Sequence, residues 1–483
     1  MLSRPQEWRD GLWIGVFVIC IHAAVLLFLA LERPEYLLNY QTNNNPDARH
    51  YVLLGENVWS KGVYSRQVEP PYSPDIVRTP VYPLVAGGFQ VLFGVIWPLY
   101  VAQAFFSVGT AWASYKLGTL LWGRRIGLIA ASIYGLDLML VILDYQAMSE
   151  SLFIFLATSA VAWWAHLLML PRDTRRAVWS HGWLGVLLSL AIYVRPGGLY
   201  LPLVMCVCEI ALILSRRLSL SLYAPIVMII VVCGTLSPWV VRNQVIYGVP
   251  RLTTADTINL AYFAAAGAYQ MRYGIDLESA QARIAEEFHL TPLVETNNFW
   301  LAKEDVATMD RRQRAAAQRI ILESLPAMAR SSLLGVIKST IAHNTADLAE
   351  AAGMMWNPPG MAKLAQGKFA EFCSVLLQNH PVLVGVFLWQ ILFSALVFFL
   401  GSIGVFKMLL RQDNGRVVAI CLIAVVAYYV ATIMVVGMEA YARHRSIIVP
   451  IWIVFAAVGL AAITSKQERR SPDQTVCETC PTP

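Results

Sequence analysis

The sequence predicts an all-α polytopic membrane protein of about ten transmembrane helices, with interfacial helices in its first outer loop and a small, mainly helical outer domain. Three observations carry this. Of 483 residues, 57% are hydrophobic and 14% charged, with a mean hydropathy of +0.55, more apolar than a soluble chain of this length can keep in solution. The apolar residues gather in runs long enough to span a bilayer. The basic residues fall in short groups between those runs, as topology signals do. The net charge of +6 is thus spread over turns and forms no stripe for nucleic acid, which is set aside as a partner.

In chain order, an amino terminus too short and too charged for a cleaved signal leads into a retained first helix at 11–31. A polar stretch from Asp47 to Pro83 follows. Residues 81–97 are apolar but interrupted by Pro83, Gly87, Gly88 and Gly94. Placing them at the outer surface, with a cytoplasmic amino terminus, gives further spans at 101–122, 126–143, 152–170, 183–194, 199–214, 220–240, 382–406, 417–436 and 447–463. The basic groups at 124–125, 171–176, 216–217, 407–416 and 466–470 then all lie inside, whereas counting 81–97 as a span puts them all outside. The expected location is a bacterial inner membrane, both termini cytoplasmic and the polar loops facing the periplasm or exterior.

The chain divides into an N-terminal transmembrane module at 1–241, whose first outer loop covers 32–100, and an outer loop domain at 242–380. C-terminal transmembrane helices at 381–466 and a disordered cytoplasmic tail at 467–483 complete it. Helical patterns recur within the outer domain at 277–288 and 303–325. The cysteines form no disulfide framework; Cys477 and Cys480 in the tail have a CxxC spacing that can bind metal or cycle redox state, but with no second pair it reads as a minor tail feature. No tandem repeat and no inverted pair of broken spans is visible.

Asp47 is the first candidate for chemistry. Tyr51, Leu54, Val58 and Trp59 recur at helical spacing after it, which puts Asp47 at the polar start of an interfacial helix. A carboxylate there can take a proton from an acceptor hydroxyl or hold a divalent cation beside a phosphate; it can equally cap the helix. Glu150 stands at the head of a span, where an acid is costly unless paired or wet; it is either functional or complements the helix dipole. Asp144 competes with it, and Asp137, placed more deeply, reads as a structural partner or a water-lined site. A further acid, Asp75, precedes Arg78 by three residues.

The arginines supply the other half. Arg78, Arg195, Arg242, Arg443 and Arg445 fall at outer ends of spans, against the usual inward bias, and guanidinium suits phosphate. Singly each can snorkel or pair with an acid. Together they point to an anionic lipid substrate. His444 can aid phosphate binding or be an interfacial residue, and Tyr51 and Tyr82 are substrate-contact candidates among many belt aromatics.

The motifs, taken in order, resemble the membrane-embedded C-type (GT-C) glycosyltransferases, in particular bacterial relatives of the dolichyl-phosphate-mannose protein mannosyltransferases and of the lipid A aminoarabinose transferase. The likeness rests on the loop opening Asp-Ala-x-x-Tyr-x-x-x-Gly-x-Asn at Asp47 and closing Arg78-Thr79-Pro80-Val81-Tyr82-Pro83-Leu84. It continues through Ser149-Glu150-Ser151-Leu152-Phe153, Arg195-Pro196-Gly197-Gly198-Leu199, Pro238-Trp239-Val240-Val241-Arg242-Asn243 and the stretch from Tyr441 to Pro450. It covers residues 11–250 and 435–465. What it implies is a GT-C-like fold and an inverting transfer of a sugar from a polyprenyl-phosphate donor to a lipid, glycan or protein acceptor on the outer face.

In such enzymes a carboxylate of the first outer loop activates the acceptor or supports a metal, a position matched here by Asp47, and a later acid is matched by Glu150. The leaving phosphate falls to Arg78, Arg195, Arg242, Arg443 and Arg445. Many relatives have two adjacent acids in the loop, whereas here Ala48 follows Asp47, so Glu150 or Asp75 is the expected complement. No cofactor is required by the sequence, and a divalent cation on Asp47 and Glu150 is left open. Residues 251–380 match no family pattern and are where acceptor specificity is expected. The competing classes are a transporter or flippase for an anionic lipid-linked substrate, whose charges belong near mid-membrane, and a non-catalytic envelope scaffold.

Overall fold

The computed structural model describes residues 4–42, 45–169, 174–218, 220–341, 371, 374, 381–440 and 442–464. Cys373, Tyr441, Cys477 and Cys480 lie outside them. Among the described residues every regular element is a helix. Seven helices are long and apolar enough to cross a membrane: Pro5–Glu32, Glu150–Met169, Arg175–Val194, Pro196–Leu214, Tyr223–Tyr247, Leu388–Leu409 and Asn414–Glu439. The chain is a multi-pass membrane protein.

The other three expected spans are helical but depart from that standard for identifiable reasons. Trp97–Trp122 has 26 residues, about 39 Å, yet carries Gln103, Ser107, Thr110 and Ser114, all buried. Its polar face looks into the protein. Residues 126–143 form Arg124–Leu136 and Leu138–Leu143, broken at Asp137, whose side chain accepts the Met139 N–H at 3.1 Å. The last, Val449–Thr464, has only 16 residues. Residues 81–97 give the 13-residue helix Val81–Phe93, about 20 Å long and short of a hydrocarbon core of about 30 Å.

Two sets of contacts define opposite ends of the bundle. At one end Arg124 pairs with Asp10 at 2.6 Å, and Arg411 donates to the Leu121 carbonyl at 3.2 Å. The amino terminus and two of the basic groups therefore share that end. At the other lies the first loop, a hairpin of Pro46–Lys61 on Val81–Phe93. The two helices touch backbone to backbone, since a Cβ on Gly55 would lie 1.9 Å from the Pro83 carbonyl oxygen and one on Gly87 would lie 2.2 Å from Gly55. Buried Asn57 donates to the Ser65 and Gln67 carbonyls at 2.7 and 3.0 Å, fixing the chain as it turns back.

The long polar segment begins beyond Tyr247, not at Arg242, which still belongs to the helix Tyr223–Tyr247. Its helices Leu277–Glu287 and Val306–Glu323 match the expected patterns. They close on a core of their own that includes Tyr262, Ala265, Ile284, Ala317 and Ile320. Ile76 and Val77 of the first loop belong to that same core. Thr254 and Thr253 tie to their carbonyls, N–H to Ile76 at 3.2 Å and hydroxyl to Val77 at 2.6 Å. The first loop is thus clamped between bundle and segment, and its polar residues are held rather than loose.

Candidate active site

Asp47 does not cap its helix. Asn45 does, its side-chain oxygen accepting the Asp47 N–H at 3.0 Å. This frees the Asp47 carboxylate to turn toward Arg78, whose Nη2 donates to Oδ1, while Arg443 Nη1 stands 3.9 Å from Oδ2. The side chain keeps 28% exposure. Burial alone would raise its pKa, but the fields of Arg78, Arg443, His50 and Arg195 outweigh that and hold it at about 2. It is ionised and, in this state, weakly basic.

Asp75 is different. It is fully buried; Oδ1 accepts the N–H groups of Val77 and Arg78 at 2.8 and 2.7 Å, and Oδ2 accepts Arg66 Nε at 2.5 Å. Arg66 reaches on to the Asn297 carbonyl at 2.6 Å and lies over Trp300. Arg242 donates to the Asp75 carbonyl at 2.7 Å and rests on Trp239 at 4.5 Å. The expectation that Asp75 completes the base is corrected, because both its oxygens are occupied out of solvent's reach. Arg242 likewise serves to hold the loop.

Glu150 is buried with Oε1 2.6 Å from Arg195 Nη1, yet neither of its oxygens makes a well-directed hydrogen bond among the described residues. Arg195 and the Tyr51 hydroxyl each stand 3.4 Å from Ser149 Oγ, and the Arg78 guanidinium lies over the Tyr51 ring at 5.2 Å. Tyr51 therefore sits between the Asp47–Arg78 pair and the Glu150–Arg195 pair. Asp144 drops out as a competitor: its carboxylate takes His22 Nε2 at 2.8 Å and the hydroxyls of Ser107 and Ser151.

Two further candidates sit elsewhere. Arg445 is buried, donating to the Thr340 carbonyl and to Ser394 Oγ at 2.9 Å, and its charge faces Asp137, which Gln390 also contacts at 2.9 Å. It points away from Asp47, whereas Arg443 points to it. Tyr82 is fully buried with its hydroxyl on Gln103 at 2.7 Å, so its place as a substrate contact is corrected to a packing role. His444 is half-buried beside Arg443 in the turn Ala442–Arg445.

Two residues escape the sequence reading. Arg66 is one; nothing in its neighbourhood marks it. His50 is the other, one helical turn beyond Asp47, and that spacing was a usable signal. Its Nδ1 is buried without a hydrogen-bond partner among the described residues. Burial and the charges of Arg66 and Arg78 hold the imidazole at about 4, against the pull of Asp47 and Asp75, so it is neutral at pH 7.

A divalent cation fits this arrangement poorly. Among the described residues no three His, Cys, Asp or Glu side chains gather as a metal-binding group. Asp47 and Glu150 each have a guanidinium as ionic partner, so an incoming cation meets positive charge first. Guanidinium groups are donors suited to an anion.

Fold and site together define a helical membrane protein with an arginine-rich polar site at one end of its bundle. No family model matches the chain, and no curated protein matches its sequence. Among solved structures it is similar to ArnT from Cupriavidus metallidurans bound to undecaprenyl phosphate, at 15% identity over 93% of this chain and 78% of that one, with a TM-score of 0.37. It is also similar to the Archaeoglobus fulgidus oligosaccharyltransferase AglB in complex with an inhibitory peptide and a dolichol-phosphate, at 12% identity over 92% of this chain, with a TM-score of 0.39. The chain spans about half the length of that archaeal enzyme, 50%. Likenesses of this size do not define a family.

Proposed function

We propose that the chain is an inverting glycosyltransferase that moves a sugar from a polyprenyl-phosphate donor to an acceptor on the outer face of the membrane. What supports this is the meeting of Asp47 with Arg78 and Arg443 beside the Glu150–Arg195 pair. Around them three guanidinium groups, those of Arg78, Arg195 and Arg443, face the two carboxylates of Asp47 and Glu150. One positive charge is left over. A lipid-phosphate sugar is a diester with one negative charge, and the lipid phosphate left after sugar departure approaches two, on the order of −1.5 to −2. A surplus of positive charge favours the leaving lipid phosphate over the diester it comes from, which is the condition for lowering a barrier rather than merely binding.

In this reading Asp47 takes the proton of the acceptor O–H or N–H as the acceptor atom attacks the anomeric carbon from the face opposite the phosphate. The bond from that carbon to the phosphate oxygen breaks, its electron pair leaves on the phosphate, and Arg78, Arg443 and Arg195 receive the charge. The configuration at the carbon inverts. The prenyl tail lies along the apolar helices, and the described residues 251–341 shape the acceptor side; the rest of the expected acceptor segment, up to 380, lies outside the described residues apart from 371 and 374.

The test compares the wild-type chain in nanodiscs with Asp47→Asn against a panel of polyprenyl-phosphate sugars. Expected is donor consumption by wild type and its loss in a variant of unchanged thermal stability. A wild type that consumes and binds none of the donors overturns the reading.

A further inference from the structure

We infer that Arg78 is shared between two anions, the protein's own Asp47 and the phosphate of the donor, so that donor binding releases the base and precedes productive acceptor binding. The inference rests on the transferase reading above and specifies the order in which that site is filled.

The geometry leaves Arg78 few choices. Its backbone N–H is fixed by Asp75 at 2.7 Å, its carbonyl accepts the Tyr64 hydroxyl at 3.1 Å, and Tyr51 covers one face of the guanidinium. The anchored backbone and the Tyr51 ring hold the guanidinium beside Asp47, and the anion on its other edge is what can change. On that edge Nη2 donates to Asp47, while Nε is buried with no hydrogen-bond partner among the described residues. Both side chains keep some exposure, 16% for Arg78 and 28% for Asp47. Arg443, at 3.9 Å from Asp47, is held by charge and not by a hydrogen bond, so it too can accept another oxygen.

A phosphate oxygen pair matches the fork of a guanidinium as a carboxylate does, and uses Nε as well as Nη2. Seated on Arg78 and Arg443, it displaces Asp47 and leaves the carboxylate beside a second anion. Like charge at that distance makes a carboxylate a stronger base. One event then seats the leaving group and turns a weak base into a useful one. Before it, Asp47 is occupied, and an acceptor that arrives first finds nothing to take its proton.

The experiment measures equilibrium binding of a short-chain prenyl phosphate to the full chain in nanodiscs, with inorganic phosphate and the corresponding prenyl alcohol as headgroup-only and tail-only controls. Asp47→Asn removes the internal rival and is expected to bind the prenyl phosphate about tenfold tighter than wild type, while Arg78→Lys binds it about tenfold weaker. Asp47→Ala, read beside its melting temperature, guards against a folding defect in the first variant. A second readout needs only folded protein: at pH 5 wild type takes up more protons on binding than Asp47→Asn, seen as a difference in buffer-dependent heat. Equal or weaker binding by Asp47→Asn, or equal proton uptake, overturns the inference while leaving the transferase reading intact. Absence of prenyl phosphate binding in wild type, or binding no stronger than that of the alcohol, removes both.

Discussion

The Asp75 carboxylate holds the backbone of Arg78, its Oδ1 accepting the Arg78 N–H at 2.7 Å while Oδ2 is occupied by Arg66 at 2.5 Å. This separates two acids that look alike in sequence. Asp75 is the anchor that aims Arg78; Asp47 is the exposed carboxylate that Arg78 is aimed at. Asp75→Asn leaves Arg66 buried without its counter-charge and is expected to cost about 3–5 kcal/mol of stability, with donor binding lost as the loop shifts. Asp47→Asn, in a partly exposed pair, is expected to cost no more than about 1 kcal/mol while abolishing turnover. Thermal unfolding of the two variants in the same lipid checks this; equal losses would erase the distinction.

Arg445 is expected to act through Arg443. The two share the short helix Ala442–Arg445, and Arg445 ties that turn to Thr340, Ser394 and the charge of Asp137. Arg445→Lys keeps the charge but loses the fork that makes those contacts at once. Its expected effect is a several-fold weaker affinity for prenyl phosphate, present in the wild-type background and absent when Arg443 is already alanine. A double-mutant cycle on binding measures this; additive losses would mean that the two arginines act separately.

His50 predicts a pH dependence whose sign can be worked out. Its imidazole is held at about 4, below the ordinary 6.5. Between those values the unfolded chain binds a proton at His50 that the folded chain does not, so folding loses stability as pH falls from 6.5 to 4 and gains nothing more above 6.5. Unfolding at pH 5 should therefore take up about one proton through this residue. His50→Gln is expected to flatten the fall of melting temperature across that window, without moving it at pH 8. An identical pH profile would show that His50 titrates normally.

Much of this was written in the sequence, and what was not has physical reasons. The membrane class and the helix after Asp47 follow from composition and spacing. So does the inward polar face of Trp97–Trp122, because Gln103, Ser107, Thr110 and Ser114 fall at intervals of four, three and four. The divergence of Arg443 and Arg445 is also a matter of spacing, since residues two apart on a helix stand about 200° apart around it. What spacing cannot carry is the fate of Asp75. Its role depends on Arg242, distant in sequence, and on a loop clamped by Thr253 and Thr254. Burial imposed by remote segments decides which of the two acids stays accessible.

The last prediction concerns the crossing that places the site. Asp47 lies in the first arm of the first-loop hairpin and Arg78 three residues before the second, and the arms meet where Gly55 and Gly87 touch. A Cβ on Gly55 would stand 1.9 Å from the Pro83 carbonyl oxygen, a backbone atom that no side-chain rotation can move aside. Gly55→Ala must therefore separate the helices, although alanine is the better helix former by about 1 kcal/mol. At an unpacked position that change would stabilise the helix; here it is expected to lower the melting temperature and to weaken prenyl phosphate binding, with no catalytic group altered. The control is Gly62→Asn at the end of the same helix, where φ is +71° and a Cβ meets nothing within 4 Å. Asparagine tolerates that conformation, so this variant should bind as wild type does. If Gly55→Ala also binds like wild type, the distance between Asp47 and Arg78 is not set by this crossing.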